Sequence, residues 1–294
     1  MAEQTNTQSI AAVVIAVVIG ATISWAGSDG GARLGALPVF AICGALAFAI
    51  NWLFYIPSAL LQTEHYYDLV GGLSYIATIV VAVLLSSDLD LRAMLVALMV
   101  LIWSVRLATF LFIRVSKAGS DSRFDEIKVR PVRFLMAWTL QGLWVLLTAA
   151  AALAVITGGV REPLGLVGII GIAVWSVGML IEIVADRQKS DFKKEAGNAG
   201  RFINVGLWAW SRHPNYFGEI LLWTGMAIVA VPVLQGWQWA TLISPLFVTL
   251  LLTRVSGIPL LEKKADERWG GQADYEAYKR STPVLIMKPP ATQG

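Results

Sequence analysis

The sequence predicts an all-α fold, a polytopic integral membrane bundle of seven or eight spanning helices with no Rossmann domain. Three observations carry this. Of 294 residues, 56% are hydrophobic before the 26 glycines are counted, and only 15% are charged, against about 25% charged in a soluble chain. Apolar runs long enough to cross a bilayer recur along the whole sequence. No GxGxxG follows a strand pattern, which removes the usual soluble dinucleotide fold.

The spans fall in order. The first, Ile10 to Trp25, has no basic residue before it (Met1 to Ser9) and reads as a true helix rather than a signal peptide. The second and third run from Ala36 to Leu61 and from Leu69 to Leu85, the fourth from Leu91 to Ile113, the fifth from Val132 to Ile156. The sixth is Leu164 to Ala185, the seventh Tyr216 to Leu234, and the eighth Trp239 to Leu261. A natural division is an N-terminal half, 1–163, around a substrate pocket, and a C-terminal half, 164–294, with a cofactor site on its polar loops.

Charge placement predicts orientation. The connections after odd-numbered spans hold three basic residues, Arg33, Arg92 and Arg161, and those after even-numbered spans four, six and eight hold eighteen. By the positive-inside rule both termini and the long loops Lys117 to Arg130 and Arg187 to Pro214 face the cytoplasm. The tail from Leu261 through Trp269 to Tyr278 reads as an amphipathic interfacial helix. One cysteine, Cys43, and two histidines exclude a disulfide framework and a histidine-rich metal site. Nothing suggests a nucleic-acid partner, and the expected partners are membrane lipids and a lipophilic small molecule.

Ionisable groups in or beside spanning segments are costly in lipid and are functional candidates for that reason. They are Glu64 and Asp68, Arg106, Glu182 and Asp186, Glu219, and Arg254. Structural ion pairs between helices are the alternative for any one of them. Glu182 and Asp186 are four apart and share a helix face, with Lys189 and Lys193 close to its continuation. The densest stretch is Ser211-Arg212-His213-Pro214-Asn215-Tyr216-Phe217-Gly218-Glu219. Proline suits a first helical turn, so a helix should begin at Pro214. Its N-terminus beside Arg212 and His213 would attract a phosphate or carboxylate.

Asn215-Tyr216-Phe217-Gly218-Glu219 followed by Trp223 resembles the C-terminal signature of the membrane-embedded steroid 5-alpha-reductases, and the Arg212-His213-Pro214 lead-in resembles a bacterial branch of that group. The resemblance covers roughly Leu164 to Pro289. It implies NADPH as cofactor, with Asp186 matching an aspartate of the family's cofactor site, and the expected cofactor-binding set is Glu182, Asp186, Lys193, Arg201, Arg212, His213, Asn215, Tyr216, Glu219 and Arg254. Glu182 stands where the family has asparagine and Lys193 where it has arginine. The family's adjacent Gln-Glu pair is split here as Gln62-Thr63-Glu64, and no tyrosine lies between Tyr75 and Tyr216 to fill the family's later position. Glu64 is then the expected catalytic acid, a carboxyl kept protonated at a lipid boundary, with Tyr67 as its partner. Isoprenylcysteine carboxyl methyltransferases share a related Arg-His-Pro-x-Tyr-x-Gly pattern.

The expected function is NADPH-dependent reduction of a conjugated carbon–carbon double bond in a sterol-like or polyprenoid enone. The alternative is an S-adenosylmethionine-dependent membrane methyltransferase. A non-enzymatic lipid-binding or transport protein, whose mark would be broken helices with midplane charges, ranks third.

Overall fold

The computed structural model describes residues 5–118 and 124–290, the side chains of 114–118 excepted. Arg123 and the middle of the Lys117 to Arg130 loop therefore lie outside the described residues. The described chain is helical almost throughout, with eight helices long and apolar enough to span a membrane. Its only described strands are a two-residue hairpin, β1 (Arg33–Leu34) and β2 (Leu37–Pro38), paired antiparallel with Arg33 opposite Pro38. The chain divides into two compact units, Met1–Gly168 with Val229–Ser244, and Ile169–Ile228 with Pro245–Gly294.

The first unit contains α1 (Asn6–Gly27), α2 (Val39–Leu60), α3 (Tyr67–Leu85), α4 (Leu91–Ala118) and α5 (Pro131–Thr157). Thr5 and Gln8 form a reciprocal capping box that starts α1 four residues earlier than hydropathy alone suggests. Helix α5 is the axis of this unit, and every residue from Val145 to Thr157 is buried. The run Ala149 to Ala152 lets neighbouring backbones approach closely, the usual basis of helix association in lipid. Outward faces remain apolar, as Val14, Leu53 and Leu84 illustrate. Short polar links tie the helices: Trp52 Nε1 donates to Thr139 Oγ1 at 3.0 Å and Asn51 Nδ2 to Ser74 Oγ at 3.2 Å. Arg92 is fully buried. Its guanidinium donates to the carbonyls of Val229 (2.7 Å), Pro163 (2.7 Å) and Leu164 (3.0 Å), joining three separated segments of the unit.

The second unit is built on α6 (Gly165–Lys194) and α7 (Pro214–Ala230), with most of both helices inside it. Glycines set their closeness. A Cβ on Gly178 would meet the Leu222 nitrogen at 2.5 Å, and one on Gly218 would meet the Gly178 carbonyl at 2.6 Å and the Glu182 nitrogen at 2.8 Å. No side chain fits there, so the backbones themselves are in contact.

The expected eighth span is not one continuous α-helix. Residues 236–242 form 3₁₀ turns, α8 (Ile243–Leu250) follows, and Leu251–Val255 is a π-helical turn. The chain breaks at Ser256 and Gly257 before α9 (Ile258–Trp269) and α10 (Ala273–Ser281). A Cβ on Gly257 would collide with the Leu252 carbonyl oxygen, so only glycine fits at the break, and Pro259 starts a new helix more readily than it continues one. Helix α7 does begin at Pro214, as its sequence implies.

Candidate functional site

In the second unit the long end of α6, the turn at 206–209, the start of α7 and the pair α9–α10 enclose a cavity of about 560 Å³, within the usual range for small-molecule sites. Several long-range bonds hold the walls. Trp208 Nε1 donates to the Ala185 carbonyl at 3.0 Å, and Gln188 Oε1 accepts from the Leu207 nitrogen at 2.9 Å, pinning the turn to α6. The segment after α10 runs back along residues 208–212. Tyr278 Oη donates to the Trp208 carbonyl (2.7 Å), the Arg212 nitrogen to the Pro283 carbonyl (2.9 Å), and the Lys288 nitrogen to the Trp210 carbonyl (2.9 Å).

One wall is aromatic. Phe202 stacks on Tyr278 with centroids 5.3 Å apart and 29° between planes, and meets Tyr275 and Trp269 edge-on at 5.2 and 6.0 Å. Burial pushes the Tyr278 hydroxyl's pKa above its ordinary value, so it stays a neutral donor. The lining also carries six cations, Lys189, Lys193, Arg201, Arg212, Lys264 and Arg268, and one carboxylate, Glu262. Lys189 lies 4.4 Å from the centroid of the Trp208 ring. Lys193, Arg201, Lys264 and Arg268 make no ion pair among the described residues. A smaller cavity of about 270 Å³ shares the Arg201–Phe202 wall and adds Asn204, Gln272 and Asp274.

The charges next to α7 are arranged by a residue that sequence reasoning missed. Glu262, on α9, accepts from Arg212 Nη1 through Oε2 and lies 2.7 Å from His213 Nε2 through Oε1. His213 is buried and stacks on Tyr216 at 5.7 Å and 11°. Burial is the largest influence on its imidazole and pushes the pKa below the ordinary value, outweighing the Glu262 bond that opposes it. His213 is thus a neutral ring whose Nε2 faces Glu262. No pattern around Glu262 distinguishes it from the other charges of the tail.

The cavity therefore gathers Lys193, Arg201, Arg212 and His213 from the expected cofactor set. Glu182, Asp186, Asn215, Tyr216, Glu219 and Arg254 are not among its lining residues. Glu182 and Asp186 are buried on α6, and Tyr216 backs His213. Arg254 sits exposed on the π-helical turn.

In the first unit, Glu64 lies between α2 and α3, 5% exposed. Lys128, from the connection before α5, places Nζ 2.8 Å from its Oε2 and 3.5 Å from Asp125 Oδ1. The hydrogen bond to Glu64 holds the Lys128 ammonium's pKa above its ordinary value. Lys128 is thus a charged partner that packing brings to Glu64. Tyr67 opens α3; its hydroxyl donates to the Ala137 carbonyl at 2.9 Å and its ring packs on Phe124 and Trp138 at 4.7 and 5.0 Å.

The family model described as "protein of unknown function (DUF1295)" matches residues 54–282. Curated relatives include 3-oxo-5-alpha-steroid 4-dehydrogenase 1 of Rattus norvegicus, 30% identical over 117 residues, 40% of this chain and 39% of that protein. The same enzyme of Macaca fascicularis is 34% identical over 118 residues, 40% of each chain. The steroid 5-alpha-reductase DET2 of Gossypium hirsutum is 32% identical over 69 residues, 24% of each chain. The matched segments thus span 40% or less of these relatives' lengths. No solved structure matches the chain.

Proposed function

The chain belongs to the DUF1295 family, and from its partial similarity to steroid 5-alpha-reductases we propose that it is a membrane-bound, NADPH-dependent reductase of a conjugated carbon–carbon double bond. The substrate class is a lipophilic enone, sterol-like or polyprenoid. The observation that carries this reading is the cavity of the second unit, where an aromatic wall faces Lys193, Arg201, Lys264 and Arg268, which make no ion pair among the described residues. That donor set fits a nucleotide: rings stack on Phe202 and Tyr278, and phosphates meet Lys193, Arg201, Lys264 and Arg268. The adjoining smaller cavity gives an elongated dinucleotide further room.

The cofactor, when bound, supplies the hydride that adds to the β carbon of the enone. The chain's own part begins with Glu64 and Lys128. In this reading the ammonium of the pair is the donor that polarises the substrate carbonyl, and the carboxylate orients it and keeps it protonated. Tyr67 positions that cluster by anchoring the start of α3 to α5 through Ala137. Both termini and the cavity face the cytoplasm, on the strength of the eighteen-to-three division of basic residues.

The test is thermal stability of the detergent-solubilised protein with NADPH, NADH or S-adenosylmethionine. At 100 times its dissociation constant a ligand adds about 2.7 kcal/mol, and NADPH is expected to do so. Stabilisation by S-adenosylmethionine without any by NADPH replaces the reductase with a methyltransferase.

A further inference from the structure

The cations of the cavity in the second unit differ in their surroundings. Arg212 is held by Glu262, and Lys189 lies over the Trp208 ring. Lys193 and Arg201 come singly, from the end of α6 and from the connection after it. Lys264 and Arg268 instead stand one turn apart on α9, both lining the cavity. Like charges at that spacing repel, and α9 carries three acids that could offset them. Among the described residues, each of those acids is engaged elsewhere. Glu262 meets Arg212 and His213, Asp266 meets Lys279 (2.6 Å) and the Tyr275 hydroxyl (3.0 Å), and Glu267 meets Lys263 (3.7 Å). A doubled positive charge is thereby kept for the cavity. It stands against the aromatic wall, since the Arg268 guanidinium lies 5.1 Å from the centroid of the Trp269 ring, which meets Phe202 edge-on.

A phosphate monoester carries about −1.5 to −2 charge near neutral pH and offers three strong acceptor oxygens. It therefore matches two cations side by side, best with a guanidinium fork as one of them. A pyrophosphate linkage spreads its charge over two phosphates and matches cations that stand apart. In an adenine dinucleotide the pyrophosphate is separated from the base by the ribose, whereas a monoester on the ribose 2′ oxygen lies beside the base. We propose that Lys264 and Arg268 select a 2′-phosphorylated adenine dinucleotide, holding the monoester next to the stacked base while Lys193 and Arg201 take the pyrophosphate. This deepens the reading of the cavity as an NADPH site and rests on it. NADH, which lacks the monoester, leaves the two α9 cations facing each other without an anion and binds more weakly.

The experiment measures binding by calorimetry with the full chain in detergent. Adenosine 2′,5′-bisphosphate and AMP differ only in the 2′ phosphate, and ADP reports on the pyrophosphate. Hydrogen bonds between charged partners should make the bisphosphate at least about tenfold tighter than AMP in the wild type. In Lys264→Gln with Arg268→Gln that ratio should fall to about parity, while ADP keeps most of its affinity. Lys193→Gln should do the reverse, weakening ADP and leaving the ratio in place. The comparison is a double-mutant cycle with the 2′ phosphate as the second site. A wild type that binds the bisphosphate and AMP equally overturns the proposal. So does a ratio that survives the double change, or one that Lys193→Gln abolishes. Melting curves without ligand establish that each variant is folded. Should the double variant not fold, each single change is expected to lower the ratio, and a ratio unchanged in both single variants overturns the proposal. Failure of the selector alone leaves NADPH and NADH stabilising the protein equally. Failure of the NADPH reading overturns both and looks different: no adenylate binds the wild type, and neither dinucleotide stabilises it.

Discussion

Nζ of Lys128 lies 2.8 Å from Oε2 of Glu64, joining residues 64 positions apart across α3, α4 and their connections. Only 4% of the Glu64 side-chain surface is open, against 21% for Lys128. A charge that closed off is costly unless paired.

If the pair acts as a unit on a substrate carbonyl, Glu64→Gln and Lys128→Met should each lower turnover by about two orders of magnitude or more. The double variant should be scarcely worse than either single one. Both should retain the stabilisation by NADPH. The measurement is oxidation of NADPH with a panel of enones, beside melting curves with the cofactor. Wild-type turnover in Lys128→Met would remove the ammonium from the chemistry.

Stability in mild acid should carry the signature of His213. Its pKa is depressed in the folded chain from an ordinary 6.5, burial being the main cause. As pH falls below that value the unfolded chain takes up the proton first, so stability is fully present above about 6.5 and declines toward the folded pKa. The charged groups facing the ring are Glu262, Arg212 and Lys189. Melting temperatures from about pH 5 to 7.5 should slope upward in the wild type. His213→Gln, which keeps a donor for Glu262 and cannot titrate, should flatten the slope; an unchanged slope assigns it to another group.

Helices α6 and α7 should not tolerate side chains at their contact. Gly218→Val places atoms where the Gly178 carbonyl and the Glu182 backbone already are. Overpacking of this kind costs about 1–3 kcal/mol or more, and neither neighbour is a flexible side chain that can move aside. Gly197→Val, at an open position, is the control. A drop in melting temperature confined to the Gly218 variant is the expected result.

Orientation can be read with one engineered thiol. Cys43, the sole cysteine of the chain, is buried, so Cys43→Ala with Gly200→Cys leaves a single reporter beside the cavity. A membrane-impermeant maleimide should label it only after cells are opened. Labelling of intact cells would place the cavity on the outer side.

The spans, the start of α7 at Pro214 and the all-helical fold were legible from residue order alone. Each follows from a local property: twenty apolar residues in a row, a proline where an amide proton is not needed, a threonine and glutamine in capping register. Even the break in the eighth span has a local sign in Ser256-Gly257-Ile258-Pro259, which continuous hydropathy masks. The partners of the charged residues had no such sign. Glu64 reads the same in sequence whether it faces lipid, water or Lys128, and its protonation depends on which of these packing brings near. Glu262 likewise looks like one more charge on an amphipathic helix, and only the fold of α9 against the start of α7 places it on Arg212 and His213. Helix formation is decided by neighbours within a few residues, whereas the energy of an ion pair is decided by distance and burial. Those were set here by contacts between segments 49 to 64 positions apart, so the elements could be read from the chain and the chemistry of the site only from their packing.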